Sequence, residues 1–117
     1  MQIRDEKVGA VRVVAPVGRI DSNTSADLEC SLRGHVGEEA ILVDLLEVEY
    51  ISSAGLSVLL KAGSAARARR GRLVLCSLRQ SVREVFALAG FTAIFTIEAS
   101  RAEALHRLAE KPGGGSR

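Results

Sequence analysis

Apolar and polar positions alternate between two periods along this chain. Val11, Val13, Val14, Ala15 and Val17 form a β-branched run that Pro16 and Gly18 are expected to close. The charged residues 1–7 ahead of it suit an edge strand turned back through Gly9. Asp21-Ser22-Asn23-Thr24 is dense in capping residues, and Leu28 and Leu32 follow at helical spacing until Gly34 and Gly37 break the pattern. Ala40-Ile41-Leu42-Val43 is apolar on both faces, as in a strand at the centre of a sheet, and Leu45 prolongs it. Past Ser53 the positions Leu56, Leu59, Leu60 and Gly63 recur at i, i+3, i+4 and i+7, which predicts a helix to about Arg70, stopped by Gly71. Leu73-Val74-Leu75-Cys76 is a second continuous apolar strand. A helix follows with Val82, Val85, Phe86 and Ala89 on one face and Gly90 at its C′ position. Ala93-Ile94-Phe95-Thr96-Ile97 reads as the last strand, and Ser100 with Glu103 as a capping box before Leu105 and Leu108.

Strands alternating with helices predict an α/β domain of about five strands and about four helices, its central strands parallel and joined by right-handed crossovers. On such sheets functional groups collect at the carboxyl ends of strands. Asp21-Ser22-Asn23 and Ser52-Ser53 both follow strands, so the two loops can face each other. With 117 residues the chain holds one domain, read as residues 1–111, and the Pro112-Gly113-Gly114-Gly115-Ser116-Arg117 end is expected to be a disordered tail.

Composition narrows the function. A hydrophobic content of 47% with 26% charged residues is that of a globular domain, with no apolar run near the length a membrane span needs. The charged first residues lack the apolar segment of a signal peptide, so the expected location is the cytoplasm. A net charge of +2 does not call for nucleic acid or membrane. The arginines at 67, 69, 70 and 72 are read as a solvated helix end that complements the dipole. Cys30 and Cys76 stand apart from each other and from His35 and His106, so they are expected to be reduced, partly buried thiols; no metal or cofactor is implied.

The candidate chemistry lies in Val43-Asp44-Leu45-Leu46-Glu47-Val48-Glu49-Tyr50-Ile51-Ser52-Ser53-Ala54-Gly55-Leu56, where an apolar strand leads to two hydroxyls at a helix mouth. Free N–H groups and the positive dipole end favour an anion there, so a phosphoserine fits without damaging the fold. The structural alternative is that Ser52 or Ser53 is simply the N-cap, contributing about 1 kcal/mol. Gly55 can likewise serve only close strand–helix packing, and Asp44 only local backbone donors.

Four stretches in order resemble the STAS family of anti-sigma factor antagonists and their relatives. They are Gly18-Arg19-Ile20-Asp21, Val43-Asp44-Leu45, Tyr50-Ile51-Ser52-Ser53-Ala54-Gly55-Leu56, and Val82-Arg83-Glu84-Val85-Phe86 through Gly90-Phe91. The resemblance implies a STAS-like α/β fold with a mixed sheet and no enzymatic activity. It also implies phosphorylation of Ser53 by a partner kinase, with Asp21 as the nearby loop acid. Ser52 stands where the family commonly carries Asp, Ala54 where Ser or Thr is common, and Leu46 where a small or polar residue is common. The implied partners are a GHKL-type serine kinase that is also the anti-sigma factor and a PP2C-like phosphatase. The expected partner surface joins Asp21, Ser22, Asn23 and Thr24 to Ser52, Ala54 and Gly55, and to Ser57, Lys61 and Ser64 on the following helix. Leu56, Leu59 and Leu60 are assigned to the core.

Two alternatives stand beside this reading. One is a STAS scaffold or transporter-accessory subunit. The other is a small protein that binds nucleotide weakly, although no Walker-type glycine loop and no nucleophile–base pair is visible.

Overall fold

The computed structural model describes residues 1–109; the segment expected to be a tail lies outside them. Its elements are β1 (Gln2–Val8), β2 (Val11–Ile20), α1 (Ser25–Arg33), β3 (Ala40–Asp44), β4 (Val48–Ile51), α2 (Ser53–Ala68), β5 (Arg72–Cys76), α3 (Gln80–Leu88), β6 (Thr96–Glu98) and α4 (Arg101–Ala109). They build a six-stranded sheet in the order β1-β2-β3-β5-β6, with β4 attached to β2. Only β1 is antiparallel to its neighbour; the ladders from β2 to β3, β3 to β5, β5 to β6 and β2 to β4 are parallel. This is the mixed α/β architecture expected, with one strand more.

Every residue of β3 is buried, as its unbroken apolar run requires. Ile41 and Val43 point into a large core shared with Leu28 and Leu32 of α1, Leu56 and Leu59 of α2, and Val82 and Phe86 of α3. Ala40 and Leu42 point the other way, into a smaller core closed by Ala104 and Leu108 of α4. Three helices therefore cover one face of the sheet and α4 the other.

Several expectations are corrected. β2 does not close at Pro16 and Gly18 but runs to Ile20. Pro16 falls between the ladder to β3, which ends at Val14, and the ladder to β4, which begins at Gly18, so its missing N–H interrupts neither. Gly18 takes a φ of +102°, natural only for glycine, and the register shifts between it and Arg19. That longer β2 offers β4 an edge, which four residues with two exposed side chains did not advertise. The last strand is shorter than expected: residues 92–95 turn, leaving Ile94 exposed and Phe95 packed against Phe86 with ring centroids 5.8 Å apart. Ala89 is exposed rather than on the buried face of α3, Leu60 is half-buried, and Cys30 is exposed rather than partly buried. Of the arginine group, Arg67, Arg69 and Arg70 are solvated, whereas Arg72 opens β5 and donates from Nη2 to the carbonyl of Leu108 at 2.8 Å.

Candidate functional site

The parallel pairing of β2 with β4 places Ile20 beside Ile51, and the Ser52 N–H donates to the Ile20 carbonyl at 2.8 Å. The loop leaving β2 and the mouth of α2 therefore emerge side by side at the carboxyl ends of their strands, as the sequence suggested. Close approach is possible because residue 55 is glycine. A Cβ there would lie 2.6 Å from Ile20 Cγ2 and 2.7 Å from Ile51 Cγ1, well inside contact distance.

The two serines divide the roles left open by the sequence. Ser52 is the N-cap: its backbone is extended, its hydroxyl accepts from the Gly55 N–H at 3.4 Å, and its carbonyl accepts the first helical bond from Leu56 at 3.0 Å. Ser53 is the first residue of the helix and is exposed, and its hydroxyl makes no hydrogen bond to any described residue. A hydroxyl not needed for capping thus stands at the positive end of the 16-residue α2.

Asp21 shapes the neighbouring loop. Its Oδ1 accepts the N–H groups of Asn23 at 2.9 Å and Thr24 at 3.2 Å, the two-residue-on pattern that short acidic side chains make in turns. Those bonds, the Asn23 N–H first, hold its carboxyl below the ordinary range, aided by the Thr24 hydroxyl and the charge of Arg19. Thr24 does not cap α1 with its side chain, because its hydroxyl is turned back to the end of β2, where it accepts the Asp21 N–H at 2.9 Å and donates to the Arg19 carbonyl at 2.8 Å. Ser22 and Asn23 are exposed, and Asp21 and Thr24 half-buried.

On α2, Ser57, Lys61 and Ser64 are exposed on the face expected for a partner, and Ala54 is half-buried. Gly55 is buried and belongs to the packing beneath that surface rather than to the surface itself. Lys61 is also engaged within the fold: its Nζ lies 3.3 Å from Glu29 Oε2 on α1. Asp44 combines a local and a distant role. Its carboxylate accepts the Leu46 N–H at 3.1 Å and Arg101 Nε from the start of α4 at 2.8 Å, which ties the end of β3 and its following loop to α4.

Three further groups border the site. Arg19 lies over the Tyr50 ring, 4.3 Å from its centroid, and its Nε is 4.0 Å from Asp21 Oδ2. Leu46 is 57% exposed in the loop between β3 and β4, where Arg79 Nε donates to its carbonyl at 2.7 Å. Leu46 stood out in the sequence as an unusual residue for its place, and Tyr50 is the single tyrosine; the stacking of Arg19 on Tyr50 depends on the β2–β4 pairing and had no local signal. Among the described residues no group of three or more histidine, cysteine or acidic side chains is placed to hold a metal, and no helix is long and apolar enough to cross a membrane.

Comparison with known proteins agrees with this architecture. The model of the STAS domain family matches residues 2–104. A Bordetella bronchiseptica protein, BtrV, named as a candidate anti-sigma factor antagonist, is 38% identical over 103 residues, spanning 86% of this chain and 89% of its own. An anti-sigma factor antagonist from Mycobacterium paratuberculosis superposes with a TM-score of 0.86 at 24% identity, covering 93% and 94% of the two chains. The Bacillus cell fate determinant SpoIIAA superposes in its unphosphorylated form with a TM-score of 0.80 at 20% identity over 92% of this chain and 96% of its own. Its phosphorylated form gives 0.72 at 19%, over 92% and 99%.

Proposed function

Because the chain belongs to the STAS domain family, and its relatives include anti-sigma factor antagonists, we propose that it is itself such an antagonist, switched at Ser53. Unphosphorylated, it binds a GHKL-type serine kinase that doubles as the anti-sigma factor, and the sigma factor is freed. Phosphorylated, it lets go, and a PP2C-like phosphatase resets it. The site of action is the cytoplasm, where sigma factors and ATP meet.

The observation that carries this reading is the division of labour at the mouth of α2. Ser52 caps the helix, so Ser53 can be modified without loss of a structural bond. A phosphate adds roughly −1.5 to −2 charges, which the helix N-terminus tolerates but a desolvated interface does not. The proposed interface runs from Asp21, Ser22, Asn23 and Thr24 across Ser52 and Ala54 to Ser57, Lys61 and Ser64. These groups lie on adjoining elements and are exposed or half-exposed.

Titration of wild type, Ser53→Ala and Ser53→Asp against the purified kinase without ATP tests the switch. Wild type and Ser53→Ala should bind equally, and Ser53→Asp about tenfold more weakly, a difference of about 1.4 kcal/mol. Added ATP should release the wild type and leave Ser53→Ala bound. Equal affinity of all three forms would defeat the electrostatic switch.

A further inference from the structure

The groove between α1 and α2 stays open because of what α2 presents to it. Within the second half of that helix, the stretch Ala62-Gly63-Ser64-Ala65-Ala66 carries almost no side-chain bulk. Ala62 and Ala65 line one wall, and Leu32, Val36, Ile41 and Val58 complete an apolar floor around about 320 Å³. That is the size of cavity that holds small ligands, about 300–1,000 Å³. A leucine at either alanine would fill much of it.

Charge is confined to the rim, where Glu29 faces Arg33, Lys61 and Arg69. Glu29 accepts from Arg33 Nη2 at 2.9 Å and from Lys61 Nζ at 3.3 Å, and these partners, Lys61 first, hold its carboxyl below the ordinary range. One carboxylate is set against three cations. Arg69 forms no ion pair with any described residue, and it stands at the helix end where Arg67 and Arg70 add positive charge. In two other cavities the charges are already answered, Asp44 by Arg101 in one and Arg107 by Glu98 in the other.

We infer that the α1–α2 groove binds a small amphipathic anion of the medium-chain carboxylate class. Its alkyl chain lies on the floor beside Ala62 and Ala65, and its carboxylate pairs with Arg69 and Lys61. A neutral chain would satisfy the floor but leave the cationic excess unanswered, and a hydrophilic anion would do the reverse. The site is separate from Ser53, since Arg69 lies at the opposite end of α2, about 24 Å away at 1.5 Å per residue.

Decanoate, kept below its micelle-forming concentration, is the probe, titrated into the ¹⁵N-labelled full chain without any partner protein. Saturable binding is expected, with amide shifts centred on residues 32–36 and 58–69. Ala65→Leu, which fills the groove, and Arg69→Glu, an exposed change that leaves the fold intact, should each weaken binding at least tenfold, and decanol should bind at least tenfold more weakly than decanoate. Shifts centred elsewhere, binding that does not saturate, or unchanged affinity in Arg69→Glu would overturn the inference. Equal affinity for decanol would remove its anionic part and with it the ligand class.

Discussion

Ser52 and Ser53 are chemically identical neighbours that the start of α2 uses differently. The Ser52 hydroxyl caps the helix and the Ser53 hydroxyl faces solvent, so their removal should have unequal costs. Ser52→Ala is expected to lower the unfolding free energy by about 1 kcal/mol, whereas Ser53→Ala should stay within about 0.5 kcal/mol of wild type in urea denaturation. An equal loss for both would mean that the cap is shared. Gly55 is the more demanding position. Its added Cβ would meet Ile20 and Ile51, both almost fully buried side chains of strand ends that cannot swing aside. Gly55→Ala should therefore cost about 1–3 kcal/mol by pushing α2 off the sheet, although alanine is the better helix former. A neutral or stabilising outcome would show that the strand ends yield.

At the scale of elements, β5 and α1 place the two cysteines in opposite environments. Cys76 is wholly buried at the end of β5 under α4, and Cys30 is exposed on α1. Burial pushes the Cys76 thiol up to about 11, with the nearby charge of Asp44 adding to it and a hydrogen bond to Ser77 opposing it. Since the folded value lies above the ordinary one, the protonated thiol favours the fold. That contribution is present below about pH 9 and fades as the pH rises toward about 11. Labelling with a thiol reagent at pH 8 should modify Cys30 rapidly and Cys76 only at the rate of unfolding. Fast labelling of both would contradict the closed packing of α4 on the sheet.

For the whole molecule, acid should act through carboxylates that join separate elements. Glu38 is held down first by Lys7 and then by Arg12, and Glu29 first by Lys61 and then by Arg33. For Asp5 partial burial pushes the carboxyl up, but the hydrogen bonds and charges of His35 and Arg12 more than offset it. Each folded value is depressed, so each contribution is present above the ordinary values of 3.8 for Asp and 4.5 for Glu and is lost as the pH falls below them through the lower folded values. The melting temperature should be level from pH 7 to about 5 and decline below about 4, and high salt should reduce the decline because these pairs lie near the surface. A melting temperature that holds steady to pH 3 would show that the pairs do not stabilise the fold.

The order of the helices, the two central strands and the pair of serines at a helix mouth were legible in the residues alone, because these rest on local signals. Leu56 and Leu59 declare the buried face of α2 by spacing, Gly90 ends α3 by backbone freedom, and Ser52-Ser53 announces a helix mouth by residue type, whereas α2 stops at Ala68 with the left-handed turn taken by Arg70 (φ +62°) rather than by Gly71. Tertiary structure decided what depends on partners distant in sequence. The strand β4 exists because β2 runs past the end of β3 and leaves an edge for it. The stacking of Arg19 on Tyr50, the bond from Arg101 to Asp44 across 57 residues, and the crowding that reserves position 55 for glycine all follow from that assembly. Which of two adjacent serines caps and which stays free was decided there too, since the Ser52 N–H is held by the Ile20 carbonyl and its backbone is thereby set extended at the mouth of α2.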